Sequence, residues 1–141
     1  MPTLNALLDR SAQEGGEKIA LAFGEREVSF HDLRREVLQV AEGLRRTGIV
    51  KGDRIAIVHR NAPEFIVAYF AASRLGAIAV PINFMVSKAD ELAYMLGDCG
   101  AKGGFLPLLQ HERGQVCIRC RTWPHQIARL ANGSFEAPSI R

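Results

Sequence analysis

The chain has 141 residues and a formal net charge of +3, with 48% hydrophobic and 23% charged residues. This length suits one domain, and this composition is typical of a globular protein rather than a disordered one. No apolar run approaches the roughly 18 residues of a membrane-spanning helix, and no basic-then-apolar leader is visible. We therefore expect a cytoplasmic protein without a membrane span.

The charge is distributed unevenly along the chain. From Lys102 onward there are six basic and two acidic residues, whereas the first 101 residues contain 12 basic and 13 acidic ones. The three cysteines, Cys99, Cys117 and Cys120, are an odd number in a chain without an export signal, which argues against a disulfide framework. This pattern predicts a near-neutral body, residues 1–102, and a basic tail, residues 103–141.

The first predicted elements are a helix and a hairpin. Thr3 is suited to cap a short helix whose leucines at 4, 7 and 8 share one face, and residues 14–17 end it. Residues 19–23 then read as a strand, and a turn at residues 24–26 returns the chain through Val28.

An amphipathic helix follows the hairpin. Ser29 with Asp32 three residues later resembles a capping box in which Asp replaces the usual Glu or Gln. Apolar residues recur at spacings of three and four until Gly48, a natural helix stop. They are Leu33, Val37, Val40, Ala41 and Leu44.

The next segment predicts a strand–helix–strand unit. Residues 54–58 are apolar on both faces, which is typical of a central parallel strand. Asn61 followed by Pro63 and Glu64 predicts a capped helix start, and residues 65–75 read as a buried helix that ends at Gly76. Residues 77–81 resume as a strand, so we expect a right-handed crossover in an α/β fold.

Regular patterns weaken after this unit. Ser87 and Glu91 introduce a last helix that ends near Gly97. We expect the glycine-rich segment 97–104 to be a turn, since it lacks the spacing of a phosphate-binding loop and has no hydroxyl after its lysine. We also expect Gly103 and Gly104 to interrupt the next strand.

Ordered blocks over residues 1–102 resemble the adenylate-forming superfamily of AMP-binding enzymes. They include Val-Ser-Phe-His-Asp-Leu at 28–33, Lys-Gly-Asp-Arg-Ile-Ala-Ile at 51–57 and Asn-Ala-Pro-Glu-Phe at 61–65. Leu-Gly-Ala-Ile-Ala-Val-Pro-Ile-Asn at 75–83 and Asp-Cys-Gly-Ala-Lys at 98–102 continue in register. The sequence of residues 76–83 resembles acyl-CoA or aryl-CoA synthetases more closely than the adenylation domains of peptide synthetases. The resemblance implies part of the large N-terminal domain of an AMP-forming acyl-CoA synthetase.

The resemblance implies a two-step reaction with ATP, Mg²⁺ and coenzyme A. A fatty or aryl carboxylic acid and ATP give an acyl-adenylate and pyrophosphate, and the thiol of coenzyme A then displaces AMP. The family uses a Ser/Thr/Gly-rich phosphate loop and a catalytic lysine on a small C-terminal domain. No two Ser or Thr residues are adjacent in this chain, so that loop is absent. We therefore assign no catalytic or cofactor-binding residue and expect a truncated chain that is inactive alone.

The tail offers one candidate metal site and one candidate surface. His111, Cys117, Cys120 and His125 combine a Cys-x-x-Cys pair with two histidines, which is a weak zinc signal because each histidine stands alone. The scattered arginines lack a fold that would present them to nucleic acid, so we expect no nucleic-acid binding.

Two further interpretations concern the tail and the body. The abrupt change at Lys102 suggests a reading-frame change or a spurious gene end, between which the encoding DNA would decide. We expect residues 103–141 to be poorly ordered. As the alternative to a synthetase, the chain would be a non-catalytic α/β interaction module whose tail binds a metal or a partner. We also expect weak stability and self-association through uncovered apolar surface.

Overall fold

The structure is a computed structural model that describes residues 3–86 and 88–105 and the backbone of residues 116–117. Within these residues the elements follow one another as α1 (Leu4–Gly15), β1 (Ile19–Phe23), β2 (Arg26–Ser29), α2 (Phe30–Arg46), β3 (Arg54–Val58), α3 (Pro63–Arg74), β4 (Ile78–Ile82), α4 (Ala89–Asp98), β5 (Ala101–Phe105) and β6 (Val116–Cys117). None of the described helices is long and apolar enough to cross a membrane.

The N-terminal helix and hairpin form as predicted, with one difference. The Thr3 hydroxyl accepts a hydrogen bond from the Ala6 amide and caps α1, and β1 pairs with β2 in antiparallel fashion. However, only Leu8 of the three leucines is buried, whereas Leu4 and Leu7 are exposed. The reason is that α1 lies at the rim of the fold, where α2 and α3 cover only part of its surface.

Helix α2 begins with half of the expected capping box. The Ser29 hydroxyl accepts from the Asp32 amide at 3.1 Å, as predicted. The reciprocal bond differs, because the Asp32 carboxylate accepts from the Ser29 hydroxyl rather than from a backbone amide. The shorter Asp side chain accounts for this difference, since the usual partner is Glu or Gln. The helix ends at Arg46, and Gly48 follows with φ of +88°.

The second sheet has the order β4-β3-β5-β6, in which β3 pairs in parallel with both β4 and β5. β6 pairs with β5 in antiparallel fashion. The prediction of a central parallel strand at 54–58 and of an α/β fold is confirmed. In the described part of the sheet β4 forms an edge, and its fourth residue is Pro81.

Two apolar clusters lie on opposite faces of β3. Ile55 and Ile57 belong to the larger cluster, which we call the major core and which contains buried side chains of α1, α2 and α3. Ala56 and Val58 belong to the minor core, which is closed by Leu96 of α4. Consecutive strand residues point to opposite faces, so β3 is buried on both sides. Helices α3 and α4 therefore cover opposite faces of the sheet.

Two predictions about local structure are wrong. Asn61 does not cap α3; the cap residue is Ala62, which makes no side-chain hydrogen bond, and Pro63 is the first helical residue. Gly103 and Gly104 do not interrupt a strand, because they lie inside β5 and pair with Ile55 and Ala56 of β3. Backbone pairing with a central strand outweighs the low strand propensity of glycine, since propensity depends strongly on context.

Candidate functional site

The candidate site is the edge of the sheet where the parallel strands β3 and β4 end. Residues 59–62 connect β3 to α3, and residues 83–88 connect β4 to α4. Helices α3 and α4 cover opposite faces of the sheet, so the two connections start from neighbouring strands and lead to opposite faces. Ligands of open α/β sheets bind in the crevice at such a divergence, outside the carboxyl ends of the strands.

Polar and aromatic side chains follow both strands at this edge. His59 is partly buried and its Nδ1 lies 2.8 Å from the carbonyl oxygen of Arg60. On the other connection, Asn83 Oδ1 accepts a hydrogen bond from the Met85 amide at 3.0 Å. Phe84 and Met85 are exposed. The described residues of this edge therefore present imidazole, amide and apolar groups, but no pair that resembles a nucleophile with its base.

His59 directly follows β3, and no site is predicted at this edge from the sequence. The missed signal was available: polar residues come directly after two predicted strands of one parallel unit. The carboxyl ends of parallel strands share an edge, so these residues were bound to lie near one another.

An ion-pair network joins the hairpin to the start of α3. Arg26 of β2 donates from Nη1 to Glu64 of α3, and its Nη2 lies 3.6 Å from Glu36 of α2. Partial burial raises the pKa of Glu64, but a bond from its own amide, the Arg26 guanidinium and nearby His59 outweigh burial. The net effect holds the pKa of Glu64 below its usual value, so this carboxylate is ionised at neutral pH.

A second network lies at the opposite, amino edge of the sheet. Lys102 Nζ donates to Asp53 Oδ2 at 2.8 Å and to the Gly48 carbonyl at 3.1 Å. The bond from Lys102, followed by a bond from the Val50 amide, lowers the pKa of Asp53. This network ties β5 to the turn before β3, on the far side of the sheet from the candidate site.

A third network holds the helices together. Asp9 of α1 accepts from Arg34 Nε at 2.7 Å and from Arg74 Nη1 and Nη2 at 3.1 Å each. The hydrogen bond from Arg74 is the strongest influence on the pKa of Asp9. Together with the bond from Arg34, it keeps this pKa below its usual value. Asp9 therefore joins α1, α2 and α3 through one carboxylate.

The side chains of the predicted zinc candidates lie outside the described part of the structure. His111, Cys120 and His125 lie outside the described residues, and Cys117 is described only as backbone in β6. Among the residues whose side chains are described, no group of three His, Cys, Asp or Glu residues is arranged to hold a metal ion. The glycine-rich segment 97–104, expected as a turn, is the end of α4, a short turn with Gly100 at φ of +62°, and most of β5.

A family model described as AMP-binding enzyme matches residues 8–133. The chain belongs to the AMP-binding enzyme family. This match confirms the resemblance seen in the sequence motifs, and it reaches beyond residue 102, where those motifs end. The division into 1–102 and 103–141 stays a prediction.

Individual relatives in this family are acyl-CoA and aryl-CoA ligases. The long-chain-fatty-acid–CoA ligase of Bacillus subtilis is 33% identical over 96 residues, covering 68% of this chain and 17% of the relative. The 4-hydroxybenzoate–CoA/benzoate–CoA ligase of Rhodopseudomonas palustris is 30% identical over 140 residues, covering 95% of this chain and 24% of the relative.

Solved structures agree with this assignment. The inhibitor-bound N-terminal domain of FACL13 from Mycobacterium tuberculosis matches with a TM-score of 0.68 and 29% identity. The match covers 74% of this chain and 26% of that one. The matched segments thus make up only 17%, 24% and 26% of the lengths of these three proteins.

The described residues do not fit the family's cofactors by themselves. They form no cluster of acidic ligands for Mg²⁺, and the sequence contains no adjacent Ser or Thr residues that would make a phosphate loop. We therefore derive no catalytic step from these residues. What they provide is a sheet with both faces of its central strand covered and a carboxyl edge at which the connections after β3 and β4 lead to opposite faces.

Proposed function

We propose that the chain contributes a strand–helix–strand scaffold to an ATP-dependent acyl-CoA synthetase. The reaction joins a carboxylic acid to AMP with release of pyrophosphate and then transfers the acyl group to the thiol of coenzyme A. The observation that carries the proposal is the family match over residues 8–133, together with the parallel sheet that the match leads us to expect.

The substrate under this proposal is a fatty or aryl carboxylic acid. Support comes from the named activities of the relatives, which include long-chain fatty acid and benzoate ligases. ATP, Mg²⁺ and coenzyme A complete the set of reactants, and a cytoplasmic location is part of the proposal because the reaction consumes ATP and coenzyme A.

The chain's own part in the reaction is structural. Stabilising the transferred phosphoryl charge requires positioned donors and a metal ion, and the described residues arrange neither. We therefore expect the isolated chain to release no pyrophosphate from ATP with hexadecanoate or benzoate, above a blank without protein. A full-length relative assayed in parallel is the positive control. Steady pyrophosphate release by the isolated chain would contradict a purely structural role.

A chimera tests the scaffold role directly. Residues 8–105 replace the matched segment of the Bacillus subtilis ligase, and acyl-CoA formation is measured. We expect activity within about tenfold of the parent, a change of about 1.4 kcal/mol in activation free energy.

The matched control is the same chimera with Ile57→Asp. Ile57 is fully buried in β3, so an unpaired carboxylate there should prevent folding. A chimera that is soluble and folded but makes no acyl-CoA would overturn the scaffold role.

Self-association is the remaining part of the proposal. Met85 is 74% exposed and Tyr94 is 71% exposed, and Phe84, next to Met85 in sequence, is half-exposed. Exposed apolar side chains of this size favour association. We expect sedimentation velocity to show concentration-dependent oligomers that diminish in a Phe84→Ser, Met85→Ser variant. A wild-type chain that stays monomeric at every concentration would contradict this.

A further inference from the structure

Arg26 is the one described side chain that joins the hairpin, α2 and α3 through ion pairs. It lies at the start of β2 and contacts Glu36 of α2 and Glu64 of α3, which are 10 and 38 positions away in sequence. An arginine fork suits two carboxylates at once, because its donors point in fixed directions. Both ion pairs are partly exposed, so each contributes little to the free energy of unfolding. We expect their main effect to be on the relative positions of the hairpin, α2 and α3.

The first turn of α3 has no capping side chain before it, so we expect its stability to depend on Glu64. The cap residue Ala62 has no side-chain acceptor and makes no capping hydrogen bond. The Glu64 carboxylate instead accepts a bond from its own backbone amide. The first four amides of a helix lack partners within the helix, so this carboxylate supplies an interaction that the missing cap would have made.

The loop between β3 and α3 carries a sensitive reporter of its conformation. His59 Nδ1 lies 2.8 Å from the Arg60 carbonyl oxygen. A carbonyl only accepts hydrogen bonds, so the proton must reside on Nδ1 when the imidazole is neutral. The proportion of this tautomer therefore measures how fully the loop adopts the described conformation.

We propose that Arg26 is a positioning residue for loop 59–62, acting by fixing Glu64 and with it the start of α3. One side chain on the hairpin thus sets one wall of the crevice between β3 and β4. The proposal rests on the proposed function only in treating that crevice as a ligand site.

The test uses the complete 141-residue chain with isotope labelling. In Arg26→Gln we expect the imidazole nitrogen shifts of neutral His59 to move from the Nδ1–H pattern toward a mixture of tautomers. We also expect the Phe65 amide, which donates to the Ala62 carbonyl at 3.0 Å, to exchange about three- to tenfold faster, as the loss of one or two partly exposed ion pairs predicts.

Two further variants separate positioning from a general charge effect. Arg35→Gln removes an equivalent charge whose partner, Asp32, lies in the same helix at 2.8 Å, and it should leave both reporters unchanged. Arg26→Lys keeps the charge and should restore part of the wild-type tautomer pattern.

The proposal is overturned if Arg26→Gln leaves both reporters as in the wild type, or if Arg35→Gln shifts them equally. If Arg26→Gln does not fold, Glu64→Gln is measured with the same two outcomes. Neither reporter depends on synthetase activity, so failure here is distinguishable from failure of the proposed function.

Discussion

At the scale of single residues, the ion pairs that join separate elements are the features with the clearest consequences. Asp9 and Glu42 each bind two arginines, but Asp9 joins three helices whereas Glu42 pairs with Arg45 and Arg46 inside α2. The two carboxylates therefore form a natural comparison. Holding elements together affects the folded state as a whole, while a pair inside one helix contributes mainly to that helix.

Replacing Asp9 should give a pH-dependent loss of stability. The folded pKa of Asp9 is lowered below its ordinary value of 3.8, so its contribution is present above that value and is lost as pH falls through the folded pKa. We expect Asp9→Asn to lower the free energy of unfolding by about 1 kcal/mol near neutral pH. Urea denaturation near neutral pH and again below the folded pKa measures the difference.

The control for this prediction is Glu42→Gln, which should have a smaller effect near neutral pH. The pKa of Glu42 is lowered to about 2, chiefly by Arg45, but its partners lie on the same helix. A deficit in Asp9→Asn that persists unchanged below the folded pKa would contradict the proposed link between Asp9 ionisation and stability.

Core leucines of α2 should differ sharply from surface ones. Leu44 is 1% exposed in the major core, whereas Leu38 on the same helix is 36% exposed. We expect Leu44→Ala to cost about 2–5 kcal/mol of unfolding free energy, because it leaves a cavity. Leu38→Ala should cost much less, and equal losses in chemical denaturation would mean that α2 does not bury the face described.

At the scale of elements, two helix boundaries and the central parallel strand were predictable, whereas the continuity of the last parallel strand was not. The Ser29 cap and the Gly48 stop follow from short-range chemistry, and the structure confirms both. The sequence predicts an interrupted strand near 101–105, whereas the strand is continuous, because its partner β3 lies more than 40 residues earlier and no pattern within the strand reveals that pairing. The candidate site differs, because polar residues after two parallel strands signal its edge, whereas the Arg26–Glu64 ion pair forms only after the chain has folded.

Two glycines, one inside α2 and one just after its end, should respond to alanine with opposite signs. Gly43 lies inside the helix with open space where the methyl group of an alanine would lie, whereas Gly48 has φ of +88°. Gly43→Ala should raise the free energy of unfolding by about 0.5–1 kcal/mol. Gly48→Ala should lower it by about 1–2 kcal/mol, because an L residue is strained in the left-handed region.

Denaturant titrations of the two variants measure both effects. Their opposite signs make each variant the control for the other. Destabilisation by Gly43→Ala of the same size as by Gly48→Ala would contradict the placement of Gly43 in an unobstructed position inside the helix.

At the scale of the whole molecule, the two cores differ in size. The major core contains buried residues from α1, α2, α3 and the strands, whereas four buried residues form the minor core under α4. Regions with less buried apolar surface open more readily. The described body is therefore expected to be least firmly held on its α4 face.

Amide hydrogen exchange should order the elements accordingly. We expect the slowest exchange in β3, which has a partner strand on each side and a core on each face, and faster exchange in α4. The comparison between α3 and α4, which both follow parallel strands, is the internal control. Exchange in α4 as slow as in β3 would show that the minor core is as stable as the major one.

Pro81 in β4 has a consequence for how this protein meets other chains. The Ile78 amide donates toward β3, to the Asp53 carbonyl at 2.8 Å, so alternate residues 79 and 81 direct their backbone groups to the outer edge. Proline has no amide hydrogen, and a strand that approached this edge would find a donor only at Ala79. The described edge is thus a poor template for the edge-to-edge stacking of strands that leads to amyloid.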